Sequence, residues 1–424
     1  MQKKKLIVIG GGAAGFFCAV NAASQNPELE VIIIEKTSKL LSKVKVSGGG
    51  RCNVTHACFS IAEMVKKYPR GENFLKNAFH HFFIPDTIDW FQKRNVLLKT
   101  EADGRMFPES NSSETIISCL MQEANKFNVQ ILMNREAVKI ETGYPEQSAS
   151  NGTAKNEKQF KVILKDASVE ECDFICIACG GYNKQEQFKW LSQLGHSFEV
   201  PVPSLFTFNV PVNPVVDLMG ISIEDVIVKI NGTKFSQQGA LLITHWGFSG
   251  PAVLKLSAFA AKKLAELQYS FSININWLPV FNESSILAKL KILREELASQ
   301  KIINRNPFSL PNRLWAYHLK LCQIKDELRW ADLPAKQQNQ LAKQLCSQQF
   351  FVKGKTTFKE EFVTAGGIKL NEINPRTMMS KIVSNLFFAG EILDVDGITG
   401  GFNFQHAWTS GWLAANEINR IIKK

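Results

Sequence analysis

The residues best placed to do chemistry come at the start of the chain. Gly10, Gly12 and Gly15 spell G-x-G-x-x-G within GGGAAG, and Glu35 stands twenty residues beyond Gly15. That spacing suits a glycine turn that receives a pyrophosphate and an acidic side chain that takes a ribose hydroxyl. Gly10 permits the tight turn, Gly12 lets backbone approach the phosphates, and Gly15 lets helix and strand pack closely. Ala13 and Ala14 open the helix, whose N-terminus offers free N–H groups and roughly half a positive charge to an anion. Glu35, followed by Lys36, favours an unphosphorylated ribose, and therefore FAD or NAD rather than NADP.

A second glycine run, SGGGRCNVTH at 47–56, bears on which dinucleotide. Neither run ends in G-K-[ST], which excludes a Walker loop. FAD is longer than the crevice of one βαβ unit and needs additional loops. Ser47, Gly48, Gly49 and Gly50 would let backbone N–H groups come close to it. Lys43, Lys45 and Arg51 would add positive charge beside a pyrophosphate or a reduced flavin. Cys52 lies on the cofactor side of this run, where it either tunes the flavin or fills space as a small apolar residue. REAVKIET (135–142), with Val138, reads as a strand that meets the adenine. DFICIACGGYN (173–183) reads as a buried strand breaking into Ala178, Cys179, Gly180 and Gly181. In AGEILDVDGITGGFNFQ (389–405), Gly390 and Glu391 are placed for a ribityl hydroxyl. Gly400, Gly401, Phe402 and Asn403 stand where a long helix begins, its N-terminus toward the flavin pyrimidine.

Other chemical groups read less sharply. Cys176 and Cys179 form C-x-x-C, but residues three apart on a strand point to opposite faces, so core packing is expected rather than a dithiol. His245, in THWGFSGP, is a candidate proton donor or substrate ligand, with a structural role as the alternative. Arg105, in GRMFPES, is a candidate anchor for an anionic or carbonyl group. His80 and His81 adjoin aromatic residues and read as packing or surface. No paired cysteine ligands, H-x-x-E-H or clustered carboxylates point to a metal. No complete second G-x-G-x-x-G unit appears, so NADH or NADPH is expected only as a transient hydride donor.

The elements that must position these groups are legible as well. LIVIG (6–10) and VIIIE (31–35) are continuously apolar and β-branched, as in buried parallel strands. MQKKK followed by an apolar run imitates a signal peptide, but glycines in mid-run suit a turn better. No other apolar run reaches the ~18–20 residues of a membrane span. Nine scattered cysteines, an odd count, fit reduced thiols, and a cytoplasmic location is expected. The 424 residues are 45% hydrophobic and 21% charged, as in a globular protein with a full core. Of the formal +11, five charges come from Lys3, Lys4, Lys5, Lys423 and Lys424. The remainder reads as thinly spread, so a small-molecule substrate is expected and nucleic acid is not demanded.

Taken together, GGGAAG, KVKVSGGGRCNVTH, GRMFPES, ITHWGFSGP, TAGGIKLNEI and AGEILDVDGITGGFNFQ resemble the two-dinucleotide-binding flavoproteins. Within them the chain is most similar to a bacterial family that includes aminoacetone-oxidase-like and bile-acid dienone reductase-like proteins. His56 departs from that family's usual asparagine. The resemblance runs end to end and implies FAD. It implies an α/β fold in which a Rossmann-like, glutathione-reductase-like FAD domain is interrupted by an inserted lobe with a β-barrel-like part and a helical part. The expected division is 1–192 for the first FAD segment, 193–281 for the β-rich insert, 282–349 for its helical part, 350–362 for the returning strands and 363–424 for the second FAD segment. The segment 148–159 is expected to be a polar hairpin loop. The expected function is hydride transfer between FAD and a small organic substrate. An RNA-modifying flavoenzyme and a non-catalytic flavin sensor are the alternatives.

Overall fold

The computed structural model describes residues 3–143, 159–356 and 363–424. Two compact units emerge, Met1–Pro203 with Lys359–Lys424, and Ser204–Phe358.

In the first unit, β1 (Lys5–Ile9), β2 (Glu30–Glu35), β3 (Gln130–Met133), β4 (Phe174–Ile177) and β5 (Leu386–Phe388) form an all-parallel sheet in the order β5-β4-β1-β2-β3. β4 and β5 are buried at every position, as β-branched and aromatic strands are when a parallel sheet is covered on both faces. Ile9 at the end of β1 lies beside Ile34 on one side and Ile177 on the other. The chain moves one way from β1 to β3 and returns on the other side at β4. The carboxyl ends of β1, β2 and β4 therefore flank the point where the strand order reverses, the usual ligand crevice of such sheets.

Three helices matter for that crevice: α1 (Ala13–Gln25), α2 (Ser42–Gly50) and α3 (Phe402–Ile422). Residues 14–23 of α1 are all buried, because α3 lies against it. A Cβ at Gly411 of α3 would stand 2.7 Å from the Ala14 carbonyl oxygen, so only glycine allows the approach. Phe17 packs on Trp90 at 4.6 Å and on Trp408 at 5.2 Å between ring centroids. Each such pair contributes about 0.5–1.5 kcal/mol beyond its buried area. Two small antiparallel sheets complete this unit. One joins Thr55–His56, Leu98–Thr100 and Arg105–Pro108; the other joins Ala137–Thr142, Phe160–Leu164 and Val169–Cys172. Thr142 pairs antiparallel with Phe160, and the expected polar loop between them lies, except for Gln159, outside the described residues.

The second unit holds a seven-stranded sheet, ordered Gln348–Lys353, Ser270–Asn276, Ser222–Ile230, Ser236–Thr244, Gly247–Ser249, Thr207–Asn209 and Lys355–Thr356. Its first and last strands are separated in the chain by Gly354 alone, so the sheet must curl until its ends meet. Gly354 makes the junction: its N–H donates to Tyr269 O at 2.8 Å, and its carbonyl accepts from Asn209 N at 3.3 Å. The expected Asn231-Gly232 turn links two of the strands, with Gly232 at φ 72°. Helices Glu283–Glu296, Asn312–Leu321 and Ala335–Ser347 fall between two neighbouring strands of that sheet. Trp277, Trp315 and Trp330 are among the largest buried side chains of its core.

Candidate cofactor-binding site

The three glycines of the turn differ in what surrounds them. Gly10 sits at φ 115°, and a Cβ there would stand 2.4 Å from Ala178 O. A Cβ on Gly15 would meet Gly10 O at 2.0 Å, so α1 could not rest on β1. Gly12 is the opposite case: nothing lies within 4 Å of its Cβ position. It is the N-cap of α1, with no side chain capping the helix and no acid in the first turn. The first N–H groups of this helix, Ala13 and Ala14 among them, are of the kind that could receive an anion. Glu35 closes the turn from β2. Its Oε2 accepts from Gly11 N at 2.9 Å, and its Oε1 accepts from Thr37 N at 2.9 Å.

A cavity of about 330 Å³ opens beside that carboxylate, lined by Gly10, Glu35, Lys36, Val138, Cys179, Tyr182 and Trp190. Five of these are residues singled out in the sequence. Arg135 lines it too; Arg135 and Tyr182 lie within the segments 135–142 and 173–183 but carry no signal of their own there, and Trp190 lies outside any motif. Cys179 and Gly180 are half-buried where β4 breaks, and Gly180 takes φ 76°. Ala178 is buried and donates its N–H to Ile9 O at 2.8 Å.

A second group gathers at Gly181. A Cβ there would stand 2.6 Å from Thr364 Oγ1 and 2.7 Å from Glu391 Oε1. Glu391 accepts from Thr364 N at 2.9 Å and pairs with Lys43 of α2. Thr364 Oγ1 is buried and has no hydrogen-bond partner among the described residues, an arrangement that suits a ligand hydroxyl. Thr364 opens the TAGGIKLNEI motif, the one sequence signal that marks it. Gly390, at φ 74°, is held from both ends. Its N–H donates to Ser410 Oγ at 2.9 Å, and His406 Nε2 lies 3.1 Å from its carbonyl.

The second glycine run is partly helix. α2 breaks at Ser47 (φ −61°, ψ 146°), and Gly48, Gly49 and Gly50 follow at φ 59°, 69° and 84°. A Cβ at Gly48 would stand 2.8 Å from the Phe107 ring, which explains a glycine there; Gly49 and Gly50 face open space. Beyond the break, the chain is fastened to α3 by contacts that motif reading missed. With its amide oriented to satisfy both ends, Asn53 donates to Thr55 O and accepts from Gly401 N, each at 3.0 Å. Thr55 Oγ1 lies 2.7 Å from Gln405 Oε1, and Trp408 Nε1 donates to Val54 O at 2.9 Å. His56 stacks on Phe402 at 4.7 Å, with Nδ1 3.0 Å from Gly400 O. Asn403 closes the loop before α3 by bonding both the N–H and the carbonyl of Gly397. Gly401 caps α3 in a left-handed conformation, φ 90°, with no side-chain cap and no acid in the first turn.

Some candidates lie away from these groups. Cys52 is fully enclosed, and burial pushes its thiol up to about 12. Arg51 stacks over Phe107 at 4.0 Å and pairs with Glu101 at 2.6 Å, so its charge is already matched. Arg105 is shared between Glu101 at 3.1 Å and Asp103 at 2.7 Å. His245 belongs to the second unit, exposed at the tip of a strand turn and edge-on to Trp246 at 4.4 Å. Cys176 contacts Cys18 of α1 rather than forming a dithiol with Cys179, and all nine cysteines are free. Among the described residues no group of three potential ligands could hold a metal, and no helix is long and apolar enough to cross a membrane.

A family model described as the HI0933-like protein Rossmann domain matches residues 4–417. The ribosomal RNA dihydrouridine synthase of Escherichia coli (strain K12) is 30% identical over 99% of this chain and 98% of its own. The 3-dehydro-bile acid delta(4,6)-reductase of Clostridium scindens is 25% identical over 96% and 97%. The structure of a 3-ketosteroid delta1-dehydrogenase from Sterolibacterium denitrificans shares the fold, with a TM-score of 0.52, 12% identity and coverage of 98% and 99%. The chain belongs to the HI0933-like Rossmann-domain family and is a flavin-type oxidoreductase.

Proposed function

We propose that this protein is an FAD-dependent reductase that adds hydrogen across a carbon–carbon double bond conjugated to a carbonyl, and that its substrate is uridine in ribosomal RNA. The observation that carries the substrate is the 30% identity, over essentially both full lengths, to a ribosomal RNA dihydrouridine synthase. A second relative of that name, from Haemophilus influenzae, is 29% identical over 99% of each chain. The sequence alone put small molecules ahead of RNA; these relatives reverse that order.

When bound, FAD supplies the hydride. The chain's own part is binding and orientation. In this reading the N–H groups after Gly12 hold the diphosphate, Glu35 takes a ribose hydroxyl, and the cavity beside Val138 takes the base. Thr364 Oγ1 and Glu391, with Lys43, serve the ribityl hydroxyls. The uncapped start of α3 at Gly401 offers N–H groups to the pyrimidine side of the flavin, where negative charge collects on reduction. NADH or NADPH would act as a transient donor. His245, exposed in the second unit, is the proton donor in this reading, and Arg105 would have to leave Glu101 and Asp103 to anchor a substrate.

The test is to reduce the purified flavoprotein anaerobically with NADPH or NADH and then add ribosomal RNA lacking dihydrouridine. Flavin reoxidation with gain of two hydrogens on uridine, read by mass spectrometry, is the expected result. Reoxidation by small enones alone would favour the reading suggested by the bile-acid reductase relative. A flavin that no donor reduces and no acceptor reoxidises would leave the sensor.

A further inference from the structure

The positive charge is not evenly distributed. Residues 204–358, the second unit, carry 18 Lys and Arg against 10 Asp and Glu, a net +8 out of the chain's +11. This corrects the impression of a thin spread. Three of those lysines, Lys229, Lys234 and Lys353, stand on or beside its curled sheet, whose solvent side presents one continuous polar row across four strands: Gln349, Asn274, Lys229 and Ser236. The next position along, Phe351 opposite Ser272, is 53% exposed, and Lys353 opposite Ser270 follows it. Strand Gln348–Lys353 alternates buried and exposed, which sets Gln349, Phe351 and Lys353 on the same outer face. Lys234 stands in the adjoining turn. Lys229, Lys234 and Lys353 are exposed, and among the described residues none of them forms an ion pair.

An exposed phenylalanine in the middle of a polar sheet face adds little to folding, since an aromatic ring stabilises the fold by being buried. What such a ring accepts is a flat π-face, and what the surrounding lysines and amides accept is a phosphodiester chain. Only an unpaired strand can offer both at once, since duplex RNA hides its base faces in the stack.

We propose that this face of the second unit, centred on Phe351 with Lys229, Lys234 and Lys353 around it, binds a single-stranded segment of RNA. The inference rests on the RNA reading above and names the surface that would hold the substrate outside the reacting nucleotide.

The experiment uses the full FAD-loaded chain and short fluorescein-labelled oligouridine, with the same sequence annealed to its complement as the duplex probe. Anisotropy titrations over a range of KCl concentrations compare wild type, Phe351→Ala and the triple variant K229Q/K234Q/K353Q. Flavin content and flavin reduction by NADPH should match wild type in both variants, because none of the four residues belongs to the cofactor site. Phe351→Ala should bind the single strand roughly 5- to 150-fold more weakly. The triple variant should lower the slope of log affinity against log salt by about 2. Wild type should prefer the single strand to the duplex. If wild type binds the oligonucleotide and both variants bind it equally well, the face is wrong while the RNA reading stands. Binding of intact ribosomal subunits without any binding of protein-free RNA would overturn the inference in favour of a protein contact. Dihydrouridine formation, measured on the same preparations, reports separately on the proposed function.

Discussion

Gly12 and Gly15 sit three residues apart in one motif, yet the structure assigns them opposite sensitivities. An alanine Cβ at position 12 meets nothing within 4 Å, and the backbone there (φ −95°, ψ −172°) is open to any residue. Gly12→Ala should therefore fold, losing no more than about 1 kcal/mol for a poorer N-cap. Its Cβ would occupy the space that a diphosphate needs. Losing about two charge-assisted hydrogen bonds from the α1 N–H groups, at ~1.5–3 kcal/mol each, costs at least about 3 kcal/mol, or roughly 150-fold in affinity. At position 15 the Cβ would stand 2.0 Å from Gly10 O, a backbone atom that cannot yield without moving the turn. Gly15→Ala should then destabilise the apoprotein by about 3 kcal/mol or more, the upper end of overpacking costs. Thermal unfolding of the apoproteins and FAD titration by fluorescence quenching separate the two effects. Wild-type-like FAD affinity in Gly12→Ala, or equal loss of apoprotein stability in both variants, would refute the assignment of a phosphate site to this turn.

Three further predictions follow from particular side chains. His318 is wholly enclosed in the core of the second unit with neither ring nitrogen partnered among the described residues, and burial lowers it to about 3. The unfolded chain then binds the extra proton between that value and about 6.5, so the neutral ring's contribution is complete above about pH 6.5 and is lost as pH falls; at pH 5 the loss is about 2 kcal/mol. Unfolding free energies of wild type and His318→Leu should thus converge or cross by that amount between pH 7.5 and 5, while a constant difference would contradict the burial argument. Cys52 should resist iodoacetamide in the native protein at pH 8 and react after denaturation, whereas half-exposed Cys58 should label natively; peptide mapping decides. His245→Gln should leave flavin reduction by NADPH intact and slow substrate reduction by roughly 100-fold or more if this ring delivers the proton; an unchanged pH–rate profile would remove it from that role.

Sequence and structure divide the protein along a physical line. Local patterns decided what local physics controls. The apolar β-branched runs at 6–10 and 31–35 had to be buried parallel strands, and the glycine spacing had to make a tight strand-to-helix turn, because these depend on a few adjacent residues and on backbone sterics. The Asn231-Gly232 turn and the helical stretch after 282 were legible for the same reason. Contacts between distant segments were not legible. Nothing in the order of residues announces that Asn53 bonds Gly401, that Thr364 faces Gly181, or that Glu101 already occupies Arg51 and Arg105. The second glycine run shows the difference most clearly. Its composition read as a loop whose backbone could come close to a cofactor, and tertiary packing made it a broken helix whose continuation is fastened to α3, because Gly48 must clear Phe107 and Trp408 must find a partner in Val54. Likewise, a chain-wide charge of +11 is a property of composition. That Lys229, Lys234 and Lys353 stand around an exposed phenylalanine depends on which strands the fold pairs and which faces it leaves to water.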